Sequence, residues 1–137
     1  MVFGRRIEYL WLSLTILAVA STALAHHSFA VFDHTRTLNL KGSVTRFQWS
    51  NPHAYLDLDV QEADGVKHYT LELTSINMLQ RIGWKSNMVK AGDQVKVITA
   101  PLLSGQPGGL LLAITLANGD AKELPVPAIN TFKRTPE

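Results

Sequence analysis

The chain has 137 residues, with 13 Lys and Arg, 11 Asp and Glu, and no cysteine. Disulfide frameworks and cysteine-ligated zinc, iron-sulfur or blue-copper centres are therefore excluded. With 46% hydrophobic and 18% charged residues, the composition is that of a globular domain and not of a disordered or collagen-like chain.

Arg5 and Arg6 precede a mostly apolar run over residues 9–20, which ends in Ala23-Leu24-Ala25. A basic start, a short apolar middle and an Ala-x-Ala exit predict a cleaved signal peptide over residues 1–25 and a periplasmic or secreted product. The apolar run is shorter than the roughly 20 residues a membrane-spanning helix needs, so no stable span is expected after processing. Glu8 stands where a twin-arginine signal wants an apolar residue. Cleavage after Ala25 leaves 112 residues carrying 11 basic and 10 acidic side chains. Basic residues scattered singly over that product give no electrostatic stripe, and nucleic acid is not an expected partner. A chain of this size buries enough surface for one core without covalent staples.

Over residues 37–49, Leu38, Leu40, Gly42 and Val44 share one parity and Phe47 and Trp49 the other. A long strand with a bulge near Thr45-Arg46 brings both sets to one face. Residues 53–60 alternate, with Ala54, Leu56, Leu58 and Val60 inward and His53, Tyr55, Asp57 and Asp59 outward. Asp64-Gly65 predicts a tight hairpin turn. That turn sets Val60 against Tyr69, Leu58 against Leu71 and Leu56 against Leu73. On the outer face it sets Gln61 against His68, Asp59 against Thr70 and Asp57 against Glu72. Thr74 or Ser75 can cap a helix over residues 76–82, with Gly83 as its stop. A second helical turn is expected over residues 86–90, then a strand over 94–100, a Pro/Gly-rich loop over 101–109 and a last strand over 110–116. The region from 121 to 137, with Pro125, Pro127 and Pro136, reads as an extended, poorly ordered tail.

Three strands, a short helix and two further strands make a mainly β domain over residues 26–120. The order predicts a five-stranded OB-like barrel, or a small open sandwich, with the helix between strands three and four.

Three signatures coincide along this domain: Ala25-His26-His27-Ser28-Phe29, Gly42-x-Val44 leading through Trp49-Ser50 to Asn51-Pro52-His53-Ala54, and Gly83-Trp84 followed by Gly92-Asp93-Gln94-Val95. Together they resemble a family of small exported bacterial proteins of unknown function, DUF6152-like, marked by a His-His-Ser-Phe mature start and an Asn-Pro-His motif. The resemblance implies export and carries no activity. More distantly, the layout is similar to small periplasmic OB-fold proteins associated with stress response and ligand binding.

The processed terminus is the sharpest chemical feature, because an N-terminal histidine offers an amine and an imidazole that can chelate one ion. Completed by a second imidazole, this gives the tetragonal nitrogen environment that Cu(II) prefers. His26, His27, His53 and His68 are the candidate metal ligands and copper the candidate cofactor. Met78 and Met88 are the only methionines of the processed chain, so a thioether-rich Cu(I) carrier is not expected. Asn51, Pro52, Trp49, Tyr55 and Trp84 form a candidate surface for a small ligand or an exported protein partner. Asp57 and Glu72, set opposite each other, repel unless a cation lies between them, and Arg46 is the expected cation. No nucleophile arrangement or glycine-rich phosphate loop gives these carboxylates a reaction. The sequence therefore points to a non-enzymatic exported protein that binds a divalent metal through its processed N-terminus, with a metal-free binding module as the alternative.

Overall fold

The computed structural model describes residues 29–123. Phe29–Val31 forms one 3-10 turn. The domain that follows is built from β1 (Leu38–Gln48), β2 (Tyr55–Glu62), β3 (Gly65–Glu72), α1 (Ile76–Arg81), β4 (Gln94–Pro101), β5 (Gly108–Thr115) and β6 (Ala121–Glu123). β1 runs antiparallel to both β2 and β4, β4 pairs antiparallel with β5, and β3 pairs parallel with β5. That last pairing closes the sheet into a five-stranded barrel with α1 between β3 and β4. This is the OB arrangement and not the open sandwich.

Strand β1 can serve two neighbours because it bends. The register against β2 shifts between Val44 and Arg46, leaving Thr45 as the extra residue. Val44 faces inward opposite Leu58, and Phe47 faces inward opposite Leu56. The parity switch in the sequence is thus the bulge it suggests. The core holds Val44, Leu56, Leu58, Leu71, Val97 and Ile114 from the strands, closed at one end by Leu79 of α1 and by Trp84.

The β2–β3 hairpin differs from expectation. Glu62 pairs with Gly65, so the two-residue loop is Ala63-Asp64 and Gly65 is the first strand residue, held at φ +126°. Every pair therefore moves by two: Leu58 faces Tyr69, Leu56 faces Leu71, Asp59 faces His68, and Asp57 faces Thr70 rather than Glu72. A shift of two keeps each side chain on its own face and still gives Leu58 and Leu56 apolar partners, while setting Val60 against Lys67, so the inward-outward alternation alone cannot separate the two registers. Across the turn, Lys67 Nζ donates to Glu62 Oε2 at 2.7 Å and approaches Asp64 Oδ2 at 3.3 Å.

Ser75 caps α1, its Oγ accepting from Met78 N at 3.4 Å, and the helix gives way at Ile82-Gly83. Residues 86–90 form turns rather than a second helix, with Met88 N donating to Lys85 O at 3.1 Å. β6 extends ordered structure into the segment read as tail. Its Ala121, Lys122 and Glu123 pair with Thr115, Ile114 and Ala113, along the stretch of β5 beyond its pairing with β3.

Candidate functional site

The loop joining β1 to β2, residues 49–54, carries the Asn-Pro-His motif and is tied down on both sides. The Asn51-Pro52 peptide bond is cis. Gln48 Nε2 donates to Ser50 Oγ, which donates to His53 O, both at 3.0 Å. Asn51 Oδ1 accepts from Ile76 N at 3.3 Å, at the start of α1. The loop and the helix are therefore joined by the motif's own asparagine, one of the backbone donors at a helix start finding a side-chain partner. Ala54 N donates to Thr74 O at 3.2 Å and Leu73 N to Ala54 O at 2.8 Å, continuing the hairpin pairing up to the loop.

Below the loop, the outer face of β1–β2–β3 is polar. His53 Nδ1 lies 2.6 Å from Glu72 Oε1, with both side chains partly buried. An ionised carboxylate only accepts, so Nδ1 is the donor in this contact and Nε2 is the ring nitrogen left for another partner. Glu72 is directly opposite Tyr55. Burial, and then the Glu72 charge, raise the Tyr55 phenol above its ordinary value. Asp57, only 4% exposed, accepts from Arg46 Nε at 2.7 Å and from Thr70 Oγ1 at 2.9 Å. His68 Nδ1 meets Asp59 Oδ1 at 2.9 Å.

The expected carboxylate pair is thus corrected. Asp57 and Glu72 are not directly opposed; the two-residue change of register puts Thr70 across from Asp57 and Tyr55 across from Glu72. Arg46 is the partner of Asp57, while His53 serves Glu72. Thr70 has no charge to announce it, and only the correct register reveals it as a donor.

Of the aromatic candidates, Trp49 is half-buried and packs edge-on against Phe47, with centroids 5.6 Å apart. Pro52 and Asn51 are exposed, and Tyr55 is partly so. Trp84 belongs to the core: it is 2% exposed, packs 6.1 Å from Phe47, and its buried Nε1 has no hydrogen-bond partner among the described residues. It offers no surface to a ligand.

Of the histidine candidates, the two among the described residues, His53 and His68, stand apart. His26 and His27 lie outside the described residues. His53 reaches Glu72, whereas His68 stands four residues earlier on β3, about 13 Å along the strand. Among the described residues no group of three or more His, Cys, Asp or Glu side chains is placed to hold a metal ion. Among those residues, too, no helix is long and apolar enough to cross a membrane.

A closed five-stranded barrel with a helix between β3 and β4, and with an ordered β1–β2 loop over a polar β2–β3 face, defines a small OB-type domain. The chain belongs to the family of unknown function DUF6152, whose model matches residues 14–112. No curated protein and no solved structure matches it.

Proposed function

We propose that the chain is an exported binding module, without chemistry of its own, that holds its ligand across the Asn-Pro-His loop and the outer face of β2–β3. The observation that carries this reading is the double tether of the loop, through Asn51 to Ile76 N and through His53 to Glu72. A loop built only to connect two strands needs neither contact. On OB barrels this loop and this face form a common ligand surface, a fold-level analogy that supports the reading without naming the ligand. Asp57, Asp59 and Glu72 outnumber Arg46 as fixed charges here, which favours a neutral or cationic, hydrogen-bonding ligand over an anion. Trp49 and Tyr55 add flat surface for its apolar part. Export rests on the signal segment over residues 1–25. Affinity capture from periplasm tests the proposal: Asn51→Ala and Tyr55→Ala proteins that melt cooperatively should lose what the unmodified protein retains. Equal recovery by all three would contradict it.

A second reading is favoured by the contact of His53 Nδ1 with Glu72. Metal-bound histidines commonly hold a carboxylate with the other ring nitrogen, as His53 holds Glu72. In this reading the amine and imidazole of a processed His26 bind one Cu(II), His53 Nε2 adds a third nitrogen, and His27 is the remaining candidate, His68 standing too far along β3 from His53. The amine has an ordinary pKa near 8, so binding displaces a proton and tightens as pH rises. Placing one Ala before His26 separates the amine from the chelating ring and should sharply weaken copper binding. Equal affinity with and without that residue rules the terminal chelate out.

A further inference from the structure

On the β1–β4–β5 side of the barrel, Lys41 and Lys96 stand directly opposite each other. Both are exposed, and neither forms a salt bridge among the described residues. Like charges directly across an antiparallel pair are destabilising. Lysines are common on edge strands, where they block sheet-to-sheet association. For Lys96 that explanation does not apply, because it is paired on both sides, with Lys41 of β1 and Thr115 of β5; Lys41 lies one residue beyond the β1–β2 pairing, which starts at Gly42. The nearest acid by register, Asp59, is one diagonal step from Lys41 and is taken by His68 at 2.9 Å. Glu123 is placed by register opposite Ala113, two strands from β4.

The two lysines line two open depressions. One, of about 290 Å³, is completed by Asn39, Ile98, Ala113 and Thr115. The other, of about 380 Å³, runs past Gln94 and Thr115 towards Gly119. Two uncompensated ammonium groups, a hydroxyl and an amide beside a small apolar floor are complementary to a compact anion with an apolar substituent.

We propose that this groove is a second binding site, independent of the Asn-Pro-His face, for a small oxyanion, phosphate or carboxylate, attached to a compact apolar group. The ammonium groups of Lys41 and Lys96 receive the oxyanion, and the apolar group rests on Ile98 and Ala113. Binding removes the repulsion between the lysines, so the ligand raises thermal stability as it saturates.

The test is titration of isotope-labelled protein at low ionic strength with inorganic phosphate, phenyl phosphate and benzoate, followed by amide chemical shifts. Saturable changes at residues 39–41, 96–98 and 113–115 are expected, with phenyl phosphate tighter than inorganic phosphate. The ranking of phenyl phosphate against benzoate identifies the oxyanion. Lys41→Gln and Lys96→Gln should each weaken binding about tenfold, the loss expected for one hydrogen bond between charged groups. Each should also raise the melting temperature of the free protein, an effect that loss of a merely structural lysine would not give. The proposal is overturned if no probe saturates, if both variants bind as the unmodified protein does, if the apolar ring adds no affinity, or if the shifts fall on residues 53–57 and 70–72.

Discussion

Arg46 Nε lies 2.7 Å from Asp57 Oδ2 across β1 and β2, the arginine side chain 64% exposed and the aspartate side chain 6% exposed. The bulge at Thr45 makes this contact, because without the extra residue Arg46 would fall on the opposite face from Asp57. A mostly exposed guanidinium thus serves a carboxylate whose only other hydrogen-bonding side chain among the described residues is Thr70.

Arg46→Ala should destabilise the domain by roughly 1 kcal/mol, the modest figure reflecting the exposure of the arginine. Thr70→Val should also be destabilising, since it takes the other donor from a buried carboxylate. Denaturant melts of the single variants and of Arg46→Ala/Asp57→Ala supply a double-mutant cycle. A coupling energy of zero would contradict the direct pairing.

At one end of the barrel Tyr69 Oη donates to Glu62 Oε1 at 2.6 Å while Lys67 holds Oε2 at 2.7 Å. The hydrogen bond to Glu62, then burial, raise the Tyr69 phenol above its ordinary value. A raised folded-state pKa contributes stability that is present below the ordinary tyrosine range and lost as pH rises through the folded value. Ultraviolet titration of the processed protein should show both phenols, Tyr55 and Tyr69, ionising above free tyrosine. Glu62→Gln should lower one transition and leave the other, whereas an unchanged profile would remove Glu62 as the cause.

Glu62 itself is held below the usual carboxylate range, by hydrogen bonds from Lys67 first and Tyr69 second. A depressed folded-state value contributes stability above the ordinary glutamate pKa and loses it as pH falls through the folded value. The melting-temperature advantage of the unmodified protein over Glu62→Gln should therefore be full at neutral pH and shrink below the ordinary glutamate range. An advantage independent of pH would contradict this.

Gly42 sits where β1 crosses β2 closely. A Cβ there would lie 2.6 Å from Asp59 O and 3.1 Å from Val60 Cγ2. Gly42→Ala should cost about 1–3 kcal/mol by overpacking. A loss no larger than that of an exposed strand substitution would show that the strands part easily at this point.

The barrel was legible in the sequence wherever burial imposes a period. The parity break between Val44 and Phe47 marked the bulge, and the alternation of residues 54–60 marked the inward face of β2. What the pattern could not fix was the hairpin register, because a two-residue slip keeps every side chain on its face and gives Leu56 and Leu58 apolar partners either way, while it moves Val60 from Tyr69 to Lys67. The lost information sat in the loop: Gly65 follows the turn instead of occupying it, at φ +126°. The site shows the same division. Arg46 and Asp57 were readable as a pair by charge, but the role of Thr70 and the hold of Glu72 on His53 depend on the register. Trp84 gave no sign of its depth, since an isolated tryptophan after a helix stop has no periodicity to place it. Ala121–Glu123 read as tail because three residues are too few to show alternation, and what makes them a strand is the exposed edge of β5.

The most direct test of the proposed binding face is the pattern of amide chemical-shift changes in the processed, isotope-labelled protein as periplasmic extract is added. Saturable changes concentrated in residues 50–57 and 70–74, and abolished in a folded Asn51→Ala/Tyr55→Ala protein, are the predicted result. Saturable changes confined to other strands, or a spectrum that does not respond at any concentration, would contradict it.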